Sequence, residues 1–321
     1  MRMQKWNVWI FALVVQPLPL FAAGGATVTT AAAPLTARQA VERIKQNVKC
    51  EWSKNTVDTF KEGDPDAPIT GIAVTFTPTM DVLKRAAASG KNFIITHEPT
   101  YYHGQDSTQA IEGDSVLAAK RAYIKAHGLT IWRFHDHWHR MQPDGIMQGM
   151  IEKLGWADLR CPGGPGDGFV FQLPSTTLRR LSEGLREKFK SDCIRVVGDP
   201  NLILTKVAYS AGAPGSLPEI RLLQRDDIEV LIAGETREWE TVEYVRDASA
   251  AGRRKALVIL GHAISEEAGM DYCARWLKGF ITEVPIEFIP VGEPYWSPSA
   301  NRSASAPARP CPPQSLEKEQ R

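Results

Sequence analysis

The chain has 321 residues, 43% of them hydrophobic and 23% charged, which suits one large or two modest globular domains with a full core. Its formal net charge of +1 excludes the broad basic field expected of a nucleic-acid-binding protein or one drawn to acidic lipid. The five cysteines are scattered with no CxxC pair, so they build no metal cage, and their odd number leaves at least one unpaired within the chain.

In chain order, the first residues read as a leader. Arg2 and Lys5 precede the apolar run VWIFALVV, and QPLPLFAAGGA ends in small residues, the pattern of a secretory signal peptide over residues 1–25. The run is too short, and too broken by Gln16, Pro17 and Pro19, to make a stable membrane anchor. This predicts a periplasmic or secreted protein whose folded region spans 26–296. GIAVTFT (71–77) reads as a strand, 79–90 as a helix with a Thr cap and a Gly stop, and NFIIT (92–96) as a strand. A helix at 115–128 leads to the strand LTIWRF (129–134), and another helix covers 145–154. CPGGPGDG (161–168) is a linker or wide loop. The pattern then restarts: FVFQL, a helix over 176–190, the strands CIRVV, LTKVAYS and EVLIAG, a helix near 238–249, ALVIL (256–260), a helix near 265–278, and IEFIP. Residues 297–321, rich in Pro, Ser, Ala and charge, read as a disordered tail. Strands alternating with helices predict an α/β protein of two similar lobes, about 35–160 and 169–292, with mostly parallel sheets.

In such sheets functional groups collect beyond the carboxyl ends of the strands. His97, Glu98 and His103 follow NFIIT; His135, His137 and His139 follow LTIWRF; His262, Glu266 and Glu267 follow ALVIL. Six of the seven histidines therefore lie directly after predicted strands, and only His127 sits inside a helix. Imidazole and carboxylate are the usual ligands of Zn, Mn and Fe. His262 and Glu266, four apart at a helix start, face the same way. In FHDHWH, alternate spacing puts all three histidines on one face if the segment is extended; if it coils, His135 and His139 still share a side.

These segments resemble the Nif-three-like family, known for dinuclear metal centres, often hexameric, and carried under the label of GTP cyclohydrolase type-two homologues. The likeness spans 35–291. GIAVTFTPTMDVLKRAAASGKNFIITHEP looks like the family's strand–helix–strand leading to a His-His-Pro motif. FHDHWHRMQPDGIMQGMIEKLGW looks like its His-Thr-x-x-Asp segment, KVAYSAGAPGS like a glycine loop, VLIAGE like its Thr-Gly-Glu motif, and LGHAISE like its Gly-His-x-x-x-Glu motif. The resemblance implies two divalent ions, with Zn, Mn and Fe as candidates, held by His97, Glu98, His139, His262 and Glu266. Glu98 replaces the family's second His. His139 replaces its Asp if the segment aligns from His135 without a gap; the spacing to Gly145 and Gly155 needs one inserted residue, which makes His137 the rival. His135 or His137 would orient ligands instead of binding the ions.

The expected function is that of an exported metal-dependent hydrolase in which a bridging water attacks a small-molecule substrate, with Glu235 or His137 as general base. The loop 210–216 would offer backbone N–H groups to an anion. The resemblance also implies a homo-oligomer, with the hexamer as its family form. The alternative is a non-catalytic metal-binding or scaffold protein, for which a site closed by extra ligands would speak.

Overall fold

The computed structural model describes residues 33–163 and 169–298. The leader, residues 164–168 of the 161–168 loop and most of the tail lie outside the described residues. In chain order the elements are α1 (Ala37–Asn47), β1 (Phe60–Glu62), β2 (Ile72–Thr75), α2 (Met80–Ala88), β3 (Phe93–Thr96), α3 (Ser115–Ala126), β4 (Thr130–Arg133), α4 (Asp136–Arg140) and α5 (Gly145–Leu154). After the 161–168 loop come β5 (Phe169–Thr177), α6 (Leu178–Phe189), β6 (Arg195–Val197), β7 (Ile203–Ser210), α7 (Ser216–Gln224) and β8 (Val230–Ala233). A π turn at Glu238–Val242 opens α8 (Glu243–Ala250), followed by β9 (Ala256–Ile259), α9 (His262–Leu277) and β10 (Ile286–Phe288).

Two five-stranded mixed sheets result, in the orders β1-β4-β3-β2-β10 and β5-β7-β8-β9-β6. In the first sheet only β1 runs antiparallel to its neighbour. In the second, β7, β8 and β9 are parallel while the edge strands β5 and β6 are antiparallel. The central strands β2, β3, β4, β8 and β9 are buried on both faces, which is why they read as unbroken apolar runs. The expected order of two successive lobes meets one correction. β10, assigned from sequence to the second lobe, crosses back to pair with β2, Ile286 opposite Ile72.

Alternation along the strands explains the layers. Ile72, Val74, Phe93, Ile95 and Trp132 point to the same core as Val207, Val230, Ile232 and Val258 of the other sheet. Ala73, Ile94 and Ile131 point outward to α2 and α3, and Ala208, Leu231 and Leu257 to the opposite outer core. The shared core also holds the buried faces of α1, α5, α6 and α9, so these helices fill the space between the sheets. There α5 and α9 meet backbone to backbone. A Cβ on Gly149 would stand 2.6 Å from Gly269 Cα, and one on Gly269 would stand 2.8 Å from Ile146 O. Only glycine permits that approach, which fixes how closely α9, the helix that carries His262 and Glu266, lies against α5.

Among the described residues, no helix is long and apolar enough to cross a membrane.

Candidate metal centre

Three chain segments converge at the carboxyl ends of the strands. β3 ends at Thr96 and delivers His97 and Glu98; β4 ends at Arg133 and runs into α4 with His135 and His139; β9 is followed by α9, which starts at His262 and carries Glu266. FHDHWH is helical from Asp136, not extended. Phe134 and Trp138, four apart, are both fully buried and pack at 5.4 Å, which turns one side of the coil inward. His135 and His139, also four apart, lie together on another side with rings 5.0 Å apart.

His137 points away from both. Its Nδ1 lies 2.6 Å from Asp58 Oδ2, its Nε2 accepts the Ser53 N–H at 2.9 Å, and its ring stacks on Trp52 at 3.6 Å. With both ring nitrogens engaged and the side chain fully buried, His137 is neither the rival ligand nor the general base that the sequence suggested. It serves with Asp58 to fix α4. Asp58 accepts the backbone N–H groups of His135 (2.6 Å), Asp136 (3.0 Å) and His137 (2.9 Å), a helix cap supplied from far away in the chain.

The four remaining post-strand histidines of the cluster share one arrangement. His97 Nδ1 faces Phe134 O at 3.2 Å, His135 Nδ1 faces Asp136 at 3.0 Å, His139 Nδ1 faces Asp144 at 3.0 Å, and His262 Nδ1 faces Glu235 at 3.1 Å. Each acceptor fixes the proton on Nδ1 and leaves Nε2 to point inward. The inward atoms meet two carboxylates. Glu266 Oε2 is 3.2 Å from His262 Nε2 and 3.5 Å from His97 Nε2, and its Oε1 is 4.0 Å from His139 Nε2. Glu98 Oε1 is 3.5 Å from His262 Nε2 and 3.7 Å from His135 Nε2. Thus all five ligands expected from sequence are brought together, and His135 joins them. His103 stays outside, exposed, with its Nδ1 accepting the Gln105 N–H, and His127 caps its own helix. Glu267 holds the backbone of Val291 and Gly292.

The electrostatics favour a cation. Burial, together with His135 and His139, holds His97 well below the usual imidazole range, so it is neutral and able to ligate. Burial works against charge on His262, yet its hydrogen bonds to Glu235, Glu266 and Glu98 prevail and push it up to about 12. The negative field that keeps a proton there would equally favour a divalent ion, which displaces that proton on binding. The fully buried His97 Nε2 has no hydrogen-bond partner, an arrangement costly for a polar atom unless a cation completes it. Two overlapping groups satisfy the spacing of a metal site, His97 with His135 and His139, and His97 with Glu98 and Glu266, their ligand atoms within 4.8 Å of one another. The residues fit a metal.

Sequence reading missed the supports. Arg133, buried at the end of β4, donates from Nε to the His97 carbonyl at 3.0 Å and from Nη2 to Glu98 Oε2 at 3.3 Å. Gly212, at φ +65°, brings its backbone against the centre: a Cβ there would stand 2.9 Å from Glu266 Cδ and 3.2 Å from His262 Nε2. Of the loop expected to bind an anion, the Gly212 N–H is instead taken by Ser265 Oγ of α9 at 2.9 Å. Asp144 was legible as a cap preceding an apolar helix, and it caps α5 through the Met147 N–H.

The centre opens on one side into a cleft of about 550 Å³, lined in part by Phe76, Glu98, Arg195, Glu235, His262 and Tyr295. Glu235 accepts from His262 and lines this cleft.

Comparison with known proteins gives the family and the fold. The Duf34/NIF3 (NGG1p interacting factor 3) family model matches residues 31–294. A GTP cyclohydrolase 1 type 2 homolog of Clostridium perfringens is 24% identical over 212 residues, 64% of this chain and 76% of that protein. The crystal structure of Staphylococcus aureus protein SA1388 superposes with a TM-score of 0.64 at 15% identity, covering 83% of this chain and all of the other. A Bacillus cereus protein related to NIF3 gives a TM-score of 0.63 at 12% identity, over 80% of this chain and 97% of its own.

Proposed function

The chain belongs to the Duf34/NIF3 family, and from that premise we propose that it is an exported, homo-oligomeric hydrolase that works with two divalent ions, Zn, Mn or Fe. His97, Glu98, His139, His262 and Glu266 would hold the ions. Such a pair supplies Lewis acidity and a water of lowered pKa. The observation that carries the reading is the cleft: the cluster is open at Glu98, Glu235 and His262, where a substrate can reach it. A purely structural or storage site would be closed by protein on every side.

Within this reading Glu235 has two tasks. It keeps the His262 proton on Nδ1, and from the cleft wall it accepts a proton from the attacking water. Its hydrogen bond from His262 keeps its pKa below the ordinary carboxylate value, so it is ionised at neutral pH. Arg133 holds one oxygen of Glu98 and thereby turns the other toward His262 and His135. The cyclohydrolase label belongs to the Clostridium perfringens relative and does not suit this cleft. Glu98, Glu235 and Glu293 line the cleft with Arg195, a poor match for a triphosphate.

The test is a screen of phosphoester, amide and cyclic-ester substrates with the purified chain, metal-loaded and metal-stripped. Turnover that requires metal and falls at least about 100-fold in Glu235→Gln, the scale of a lost general base, supports the hydrolase. A loaded protein inert toward every class supports the non-catalytic reading. N-terminal sequencing from the native host tests export, with a mature start between residues 22 and 27 expected.

A further inference from the structure

We propose that His135 is itself a metal ligand, so that His97, His135 and His139 form a three-imidazole subsite selective for nitrogen-preferring ions such as Zn2+ or Co2+ over Mg2+ or Ca2+. The proposal rests on the two-ion reading above and adds a sixth donor to the five residues it used.

Three observations lead there. First, His135 is oriented in the same way as the other three histidines. Its Nδ1 is held by Asp136, and Asp136 is in turn fixed by the Thr56 hydroxyl at 2.7 Å and the Val57 N–H at 3.2 Å. A histidine that merely faced solvent would have no such chain of support. Second, the ligand atoms of His97, His135 and His139 lie within 4.8 Å of one another. Three nitrogens around one zinc stand about 3.4 Å apart for bonds of roughly 2.0–2.1 Å, a contraction within reach of side-chain adjustment. The rings already converge, His135 and His139 lying 4.5 and 5.0 Å from His97.

Third, the alternative task for His135, donating a hydrogen bond to Glu98, conflicts with its proton placement. With the proton on Nδ1, Nε2 presents a lone pair to Glu98 Oε1 at 3.7 Å, and the two repel unless a cation lies between them. A single divalent ion serves all three imidazoles at once.

A set of three imidazoles also decides the class of ion. Mg2+ and Ca2+ take oxygen donors, whereas zinc, cobalt and their neighbours accept imidazole readily. Glu266 and Glu98 each place an oxygen between this subsite and His262, so they are the groups able to serve both ions.

The experiment titrates the metal-free full chain with Co2+, following its visible ligand-field bands, with and without excess Mg2+. The wild type is expected to bind two equivalents that Mg2+ does not displace. His135→Ala should lose or shift the bands of one ion and weaken that site more than 100-fold, beyond the roughly 10–100-fold expected of an orienting partner. His103→Ala should match the wild type. His135→Gln, which keeps the volume, serves if the alanine variant fails to fold. Failure of the wild type to bind Co2+ would sink the two-ion reading itself. Two bound ions with unchanged bands in the His135 variants would leave that reading standing and overturn the ligand assignment, as would displacement of cobalt by Mg2+.

Discussion

Replacing Gly149 by alanine tests whether the helix contact between the sheets sets the geometry of the centre. The new Cβ would stand 2.6 Å from Gly269 Cα and 2.7 Å from the Ala268 carbonyl carbon. Carbon atoms pack best at about 3.5–4.0 Å, so α9 must retreat by roughly 1 Å, and because the obstacles are backbone no side chain can give way. Overpacking of this kind costs about 1–3 kcal/mol, offset in part by the ~0.5–1 kcal/mol that alanine gains over glycine within a helix. A net loss of roughly 1–2 kcal/mol lowers the melting temperature by about 2–4 °C per kcal/mol in a chain of this size. Glu266 lies one helical turn before Gly269, so the same retreat draws it away from His97 and His139, and metal affinity should fall at least about tenfold. Gly184→Ala on α6 is the matched control. It is exposed, and nothing lies within 4 Å of its Cβ position, so it should stabilise the protein by ~0.5–1 kcal/mol. The assay is thermal unfolding without metal, followed by metal titration. Equal or higher stability of Gly149→Ala with unchanged affinity would refute the reasoning.

Asp58→Ala removes the acceptor for three backbone N–H groups and for His137, and should cost about 3–5 kcal/mol while weakening metal binding, because α4 carries both His135 and His139. Metal affinity equal to wild type in a folded Asp58→Ala protein would show that α4 holds its place without the cap. Arg133→Met leaves the Glu98 carboxylate without its buried partner, and a comparable loss in melting temperature is expected, with Glu98→Gln in the same background restoring much of it. Glu283 is drawn down to about 2 by its hydrogen bonds from Arg43 and from backbone N–H groups. A lowered carboxylate stabilises above its unfolded value and loses that contribution as pH falls through its folded one. The stability gap between wild type and Glu283→Gln should therefore be constant above pH 5 and close between about 4.5 and 2; a gap that widens in acid contradicts the pairing.

The parallel strands were legible because burial on both faces leaves apolar runs such as FIIT and ALVI, and the rule that groups gather beyond strand ends located His97, Glu98, His262 and Glu266. Asp144 and Gly155 bracket α5 at the boundaries read from the sequence. The alternating histidines left an extended and a coiled reading open, and the coil holds, with His135 and His139 sharing a side. The spacing of four between Phe134 and Trp138 was the signal that decides between them. Thr36 and Gln39 form a capping box, a local pattern that marks the start of α1. What no local pattern holds is the long-range pairing: Asp58 capping α4, Arg133 clamping Glu98, and β10 returning to β2 all join residues far apart in the chain, and only the packed fold brings them together.

The most direct measurement is anomalous diffraction at the zinc edge from crystals of the zinc-loaded protein. Two peaks should appear within the cluster, one among His97, His135 and His139 and one beside His262, with Glu98 and Glu266 between them. Zinc bound elsewhere, with this cluster empty or its histidine Nε2 atoms turned away, would contradict the assignment of a metal centre to these residues.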